Sequence, residues 1–223
     1  MVNNFFEGKD FNKEEFKPLN PRYYPKVYQD YIKEETALVQ QIVRGSKRIL
    51  DVGVGTGRMI PLYAPLVKEY IGIDNSNYMV SQASKYKKDF SNIKILKENI
   101  EDLNKVFPKQ HFDYSLILWN TLGNVNDEII ALQNLKEITK KSILITTFLR
   151  GHWDKRKEWY ESVGIELDHV EAKTETVHSK SGLLSRAYVL EDFKRFAKET
   201  GLKIKQHKIL LDVCIFVELA IGE

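Results

Sequence analysis

The densest chemistry in the sequence lies at Asp51-Val52-Gly53-Val54-Gly55-Thr56-Gly57, an acid followed by glycines at alternate positions. Glycine lets the backbone pass close to a ligand, because no Cβ stands in the way. Spacing separates the ligand classes that such loops serve. The dinucleotide pattern G-x-G-x-x-G needs a further glycine where this chain has Arg58 or Ile60. The phosphate loop G-x-x-x-x-G-K-[ST] fails as well, since no Lys-Ser or Lys-Thr follows these glycines. The apolar run Arg48–Val52 leads into the loop, so the glycines read as a turn leaving a strand. Open α/β sheets bind ligands at that carboxyl edge.

Asp51-x-Gly53-x-Gly55-x-Gly57 resembles motif I of the class I S-adenosylmethionine-dependent methyltransferases of small-molecule type. In that family the motif's aspartate acts on the amino-acid end of the ligand, and the glycines pass beneath it. The chemistry agrees, because adenosylmethionine has no phosphates but carries an α-ammonium that an acid can hold. The likeness continues along the chain. Ile71-Gly72-Ile73-Asp74 ends a second strand in an acid, and a carboxylate there accepts both ribose hydroxyls. Asn75-Ser76-Asn77-Tyr78-Met79 opens the next helix and is similar to the stretch whose Met79 position packs against adenine. Glu98-Asn99-Ile100-Glu101-Asp102-Leu103 resembles the family's G-D-A-E-D-L, with Asn99 in place of the aspartate. The Asn99 oxygen would accept from the adenine amino group and the Ile100 amide would donate to the ring. Phe112–Asn120 resembles motif IV, whose closing residues, here Trp119 and Asn120, face the methionine part and the substrate. The resemblance spans residues 26–150 and, more loosely, 190–220. It implies S-adenosyl-L-methionine as cofactor and S-adenosyl-L-homocysteine as product. The implied binding set is Asp51, Gly53, Gly55, Gly57, Asp74, Asn75, Met79, Asn99, Ile100 and Trp119.

Methyl transfer from a sulfonium is an in-line displacement on an already activated carbon, so positioning can supply much of the catalysis. Specialised chemistries are set aside by what the chain lacks. Asn120-Thr121-Leu122-Gly123 stands where amide or adenine methylation would place N-P-P-[YF] or D-P-P-Y. Cys214 falls in the predicted last strand, where an inert buried thiol is expected rather than a nucleophile. No Asp…Asp-Asn cluster follows strand four and the five histidines show no ligand spacing, so no metal is expected. His152 is a candidate general base at neutral pH, and Asn120 a second catalytic candidate. Asn120 and Asn124 would orient a hydroxyl or amine, or else bond their own loop. Tyr24, Tyr28 and Tyr31 share a helix face; their rings would cover a cation, or else pack the helix onto the sheet. Arg186 would meet an acidic substrate group, or else be solvated.

These residues need a scaffold, and the hydrophobic periodicity supplies one. Strands are predicted at Arg48–Val52, Tyr70–Ile73, Ile93–Leu96, Tyr114–Leu118 and Ile143–Phe148, each a short apolar run. Helices are predicted at Lys26–Val43, Arg58–Leu66, Asn77–Phe90 and Asp127–Thr139. Such alternation indicates a mostly parallel sheet covered on both faces. After Phe148 the alternation breaks into a helix at His152–Val163 and a hairpin of Glu171–His178 with Leu183–Val189. A helix at Leu190–Thr200 and strands at Lys203–Leu210 and Val213–Ala220 close the chain. The expected fold is α/β, Rossmann-like and doubly wound, with seven strands and an antiparallel last strand. We expect one domain over 1–223: an arm and helix (1–45), a cofactor-binding core (46–149), a cap insertion (150–189) and closing elements (190–223). Before residue 26 the arm reads as irregular, with Phe5, Phe6, Phe11 and Phe16 and a short helix near Lys13–Phe16.

Composition bounds the rest. Hydrophobic residues at 43% and charged residues at 29% are ordinary for a soluble globular chain. A net charge of +3, with acids interspersed among lysines, argues against a nucleic-acid partner. No apolar stretch reaches membrane-spanning length and the N-terminus lacks a signal-peptide pattern, so a cytoplasmic protein is expected. The leading expectation is methyl transfer to an N or O nucleophile of a small molecule. The alternatives are an RNA or protein methyltransferase, and a non-catalytic adenosylmethionine-binding regulatory domain.

Overall fold

The computed structural model describes residues 17–222; the expected helix near Lys13–Phe16 and the early phenylalanines lie outside the described residues. Two short 3-10 turns, Lys17–Leu19 and Pro21–Tyr23, lead into helix α1, Lys26–Val43. Its buried stripe is Tyr28, Tyr31, Glu35, Val39 and Val43, at spacings of three and four residues. A carboxylate thus sits within an otherwise apolar stripe. Gly45, just past the helix, takes φ +77°, a conformation that turns the chain into strand β1, Arg48–Val52.

The core follows as α2 (Ile60–Tyr63), β2 (Glu69–Asp74), α3 (Asn77–Ala83), β3 (Ile93–Lys97), α4 (Leu103–Val106), β4 (Phe112–Ile117), α5 (Glu128–Ile138) and β5 (Thr139–Phe148). α2 is shorter than the expected helix over Arg58–Leu66. Pro65 has no N–H to donate back to the carbonyl of Pro61, so the chain tightens into a 3-10 turn at Ala64–Leu66. The expected helix over Asn77–Phe90 likewise stops at Ala83 and continues as a 3-10 turn, Ser84–Lys88.

Beyond β5 come α6 (Trp153–Ser162), β6 (Leu167–Glu171), β7 (Thr176–Ser179), β8 (Leu184–Ser185), α7 (Leu190–Thr200), β9 (Lys203–Leu210) and β10 (Cys214–Ala220). The expected two-stranded hairpin is a three-stranded sheet in the order β6-β7-β8. The chain reverses inside Glu171–His178: Glu175 takes φ +52° and its N–H donates to Glu171 O at 2.8 Å.

The main sheet has seven strands in the order β3-β2-β1-β4-β5-β10-β9. Pairs among β1 to β5 are parallel, whereas β10 runs antiparallel to both neighbours. Strand order reverses between β1 and β4, which opens a crevice at their carboxyl ends. Alternate residues along β1 feed the two faces: Ile49 packs with α1, while Leu50 and Val52 join the cluster that includes Leu132 and Leu135 of α5 and Phe193 and Phe196 of α7.

Candidate functional site

A cavity of about 210 Å³ opens at the strand-order reversal, bordered by the loops after β1, β2, β3 and β4, by the arm and by the insertion after β5. Its first end is mostly backbone. Gly53 and Gly55 take φ +73° and +56°, which strains any residue with a Cβ. The N–H groups of Gly53 and Val54 both donate to Ile73 O at 2.9 Å, so the loop folds back onto the end of β2. Asp74 fixes both sides of this end: Oδ2 accepts from Gly55 N at 2.9 Å and Oδ1 from Ser76 N at 3.0 Å. A Cβ on Gly55 would meet only Gly53 O, at 4.0 Å, so the space above it is open. Asn75, Met79, Asn99 and Ile100 continue the same wall.

Asp51 stands at the base of the loop, 3% exposed, and accepts a hydrogen bond from the Tyr70 hydroxyl. Burial pushes its carboxyl up to about 7, against the lowering effects of the Tyr70 hydrogen bond and the Arg58 charge; Glu35 and Asp74 add to the rise. A carboxylate so disfavoured gains strongly from a bound cation. Glu35 of α1 is also fully buried, accepting from Tyr31 and from Thr146 of β5, and burial raises its carboxyl too.

The second end is built from side chains. At the end of β4, Trp119 and Asn120 both have positive φ, +51° and +61°. Such consecutive strain in non-glycine residues needs anchoring. The anchors come from β5: Trp119 N donates to Thr146 Oγ1 and Asn120 N to Thr146 O, each at 2.9 Å. The turned-out Trp119 ring stacks between Tyr24 (5.1 Å, 4°) and Tyr31 (5.3 Å, 28°), with the Arg58 guanidinium 5.8 Å from its centroid. Leu19, Tyr24, Phe148, Trp159, Ile165 and Leu183 form an aromatic and aliphatic wall, with Asn120, Asn124 and Ser185 its polar points.

The structure gathers Asp51, Gly53, Gly55, Asp74, Asn75, Met79, Asn99, Ile100, Trp119, Asn120, Asn124 and Tyr24 around this cavity. The structure places the other expected residues elsewhere. Gly57 does not border it; a Cβ there would lie 2.9 Å from Ile60 and Tyr86, so that glycine serves packing. Tyr28 and Tyr31 are fully buried beneath the aromatic wall and do not border it, because α1 turns that face onto the sheet. His152 precedes α6, away from the cavity lining. Arg186 does not border the cavity; it donates to Val125 O at 2.7 Å and lies 3.6 Å from Glu128. Cys214 is buried, and burial raises its thiol well above the usual range.

Sequence reasoning missed Arg58, Phe148, Trp159 and Ser185. Only the Arg156/Tyr160 pair, one helical turn apart on α6, offered a local signal near that end.

Residues 49–142 match the family described as "Methyltransferase domain". The match covers under half of the chain, which over those residues is similar to a methyltransferase domain. An uncharacterized methyltransferase of Bacillus subtilis, YcgJ, is 35% identical over 72 residues, which cover 31% of this chain and 28% of that protein. The match therefore spans under a third of that relative. Among solved structures, the 1,6-didemethyltoxoflavin-N1-methyltransferase of Burkholderia thailandensis shares 10% identity at a TM-score of 0.66, over 89% of this chain and 82% of that one. The magnesium protoporphyrin IX methyltransferase of Synechocystis PCC 6803 shares 14% at 0.65, over 95% and 96%. At these identities the structures establish the methyltransferase fold.

Proposed function

We propose that this protein transfers the methyl group of S-adenosylmethionine to a nitrogen or oxygen nucleophile of a small molecule. The observation that carries the reading is the division of one cavity: Asp51, Gly55, Asp74 and Asn99 meet at one end, and an aromatic, largely apolar wall closes the other. The cofactor fits the first end by its own chemistry. Asp51 would neutralise an α-ammonium, Asp74 would accept from ribose hydroxyls, and Asn99 with the Ile100 amide would face the adenine edge. When bound, the cofactor supplies a methyl carbon activated by a sulfonium.

What remains for the chain is placement. The acceptor's lone pair must lie about 3 Å from that carbon and opposite the sulfur. With the cofactor held there, the broken carbon–sulfur bond would leave its electron pair on sulfur, and the acceptor's proton would leave to solvent. Leu19 and Tyr24 of the arm, with Ile165 and Leu183 of the insertion, wall the acceptor end and limit water there. A small molecule suits such a walled end better than a polymer.

The test is transfer of labelled methyl from S-adenosylmethionine into fractionated extract, with small-molecule, RNA and protein pools counted separately. Label in the small-molecule pool is the expected result. Label confined to RNA or protein, or cofactor binding with no transfer to any pool, would overturn the proposal.

A further inference from the structure

Arg156 of α6 is 1% exposed, and among the described residues it forms no ion pair with a carboxylate. Neutral groups hold its guanidinium instead. Nη1 donates to Glu175 O at 2.6 Å and Nη2 to Ser185 O at 2.7 Å. Nε and Nη2 donate to Tyr160 Oη at 3.1 and 2.8 Å, and the cation lies 4.9 Å from the Phe148 ring centroid. A buried cation without a counter-charge is costly, and a negative charge brought close to it offsets that cost.

Counting hydrogens around Ser185 shows where that charge belongs. Tyr160 Oη already accepts two N–H groups, so its own hydrogen goes to Ser185 Oγ, 2.9 Å away. The Asn120 amide cannot be flipped: Phe148 N–H can only donate, and it meets Oδ1 at 3.1 Å. Nδ2 therefore faces Ser185 Oγ, at 3.0 Å. Arg156 Nη2 lies 3.1 Å from the same oxygen, but its two hydrogens go to the nearer Ser185 O and Tyr160 Oη. The Tyr160 and Asn120 hydrogens fill both lone pairs of Ser185 Oγ, so the Ser185 hydrogen must point elsewhere. It has no acceptor among the described residues, and Ser185 borders the aromatic end of the cavity.

We propose that Ser185 holds the substrate, donating its hydrogen bond to a carbonyl or phenolate oxygen on a flat aromatic ring lying along the wall of Phe148 and Trp159. Arg156 is the positioning residue behind it; through Ser185 its charge favours the anionic form of that oxygen. The inference deepens the methyltransferase reading and rests on it for the word substrate, but the hydrogen bond does not depend on turnover.

The probes are 4-nitrophenol, whose phenolate absorbs visibly, and nitrobenzene, which keeps the ring without the hydroxyl. Both are titrated into the full chain saturated with S-adenosylhomocysteine. Wild type should bind 4-nitrophenol at least tenfold tighter than nitrobenzene and should lower the pH at which the bound phenol ionises. Ser185→Ala should lose about tenfold in 4-nitrophenol affinity, the size of one hydrogen bond to a charged group. Tyr160→Phe should lose less, and neither substitution should change nitrobenzene or S-adenosylhomocysteine binding. Equal binding of the two probes by wild type, binding of neither, or unchanged 4-nitrophenol affinity in Ser185→Ala would overturn the assignment. The first comparison needs no variant to fold. Absence of S-adenosylhomocysteine binding would instead count against the proposed function, and the two probes can still be compared without it.

Discussion

At one end of the cavity the chain presents main chain held by Asp74 and set above the buried Asp51; at the other it presents side chains brought from four distant segments. The glycine end is local. Asp51 to Gly55 run from the end of β1 into its turn, and Asp74 at the end of β2 accepts from Gly55 N in that turn and from Ser76 N beyond its own strand. The aromatic end joins Tyr24 of the arm, Trp119 and Asn120 after β4, Phe148 of β5 and Ser185 of the insertion. The difference teaches where specificity can vary. A backbone cradle tolerates few residue changes, whereas a side-chain wall can be rebuilt around another acceptor without disturbing the first end.

Separate perturbation of the two ends tests this contrast. The largest effect is expected at Asp51. Its carboxyl is raised to about 7 by burial, whereas in the unfolded chain it titrates near the ordinary aspartate value. Between those pH values the folded chain holds a proton that the unfolded chain has lost, so stability falls as pH rises through about 4 to 7. The full difference corresponds to about 4 kcal/mol, taken as an order of magnitude. Urea denaturation of the ligand-free protein should show this decline, with Glu35 adding in the same direction. Asp51→Asn should flatten most of the decline and weaken S-adenosylhomocysteine. An equally steep profile in that variant would contradict the assigned burial.

Next comes Gly123, which belongs to the other end. A Cβ there would lie 2.5 Å from Asn120 Nδ2 and 2.7 Å from Arg186 O. Gly123→Ala should cost about 2 kcal/mol by overpacking and swing the Asn120 amide away from Ser185. Thermal melts and 4-nitrophenol titration would register both changes, while S-adenosylhomocysteine affinity stays within about twofold. A tenfold loss of the latter would show that the ends are not independent. The smallest effect is expected for Tyr24→Ala, which removes the ring stacked on Trp119 at 5.1 Å, worth about 1 kcal/mol beyond buried area. A red shift of tryptophan emission should report the newly wetted Trp119; unchanged emission would contradict its exposure.

The same contrast explains what could be read from the sequence. Asp51, Gly53, Gly55 and Asp74 were legible because each sits at a strand end whose apolar run announces it, and spacing alone carries the chemistry. The strands of the main sheet and the helices α1, α5 and α7 followed from periodicity, whereas the three-stranded sheet of the insertion did not. Ser185 and Trp159 were not legible, since their meaning depends on meeting Asn120 and Phe148 across long sequence separations. Arg186, one residue from Ser185, drew the eye by its charge, yet its guanidinium is engaged by Val125 O and Glu128. Glu35 was hidden for the opposite reason. A polar residue in an amphipathic helix reads as solvent-facing, and only the packing of Tyr31 and Thr146 around it shows that it is buried.

The central claim, that the glycine end holds the methyl donor and does so independently of the aromatic end, is met most directly by calorimetric titration of S-adenosylhomocysteine into wild type, Asp74→Ala and Ser185→Ala. The account predicts tight binding to wild type and to Ser185→Ala, with a loss of about 100-fold in Asp74→Ala, where ribose hydrogen bonds and the Gly55 tether go together. Undiminished affinity in Asp74→Ala would contradict it.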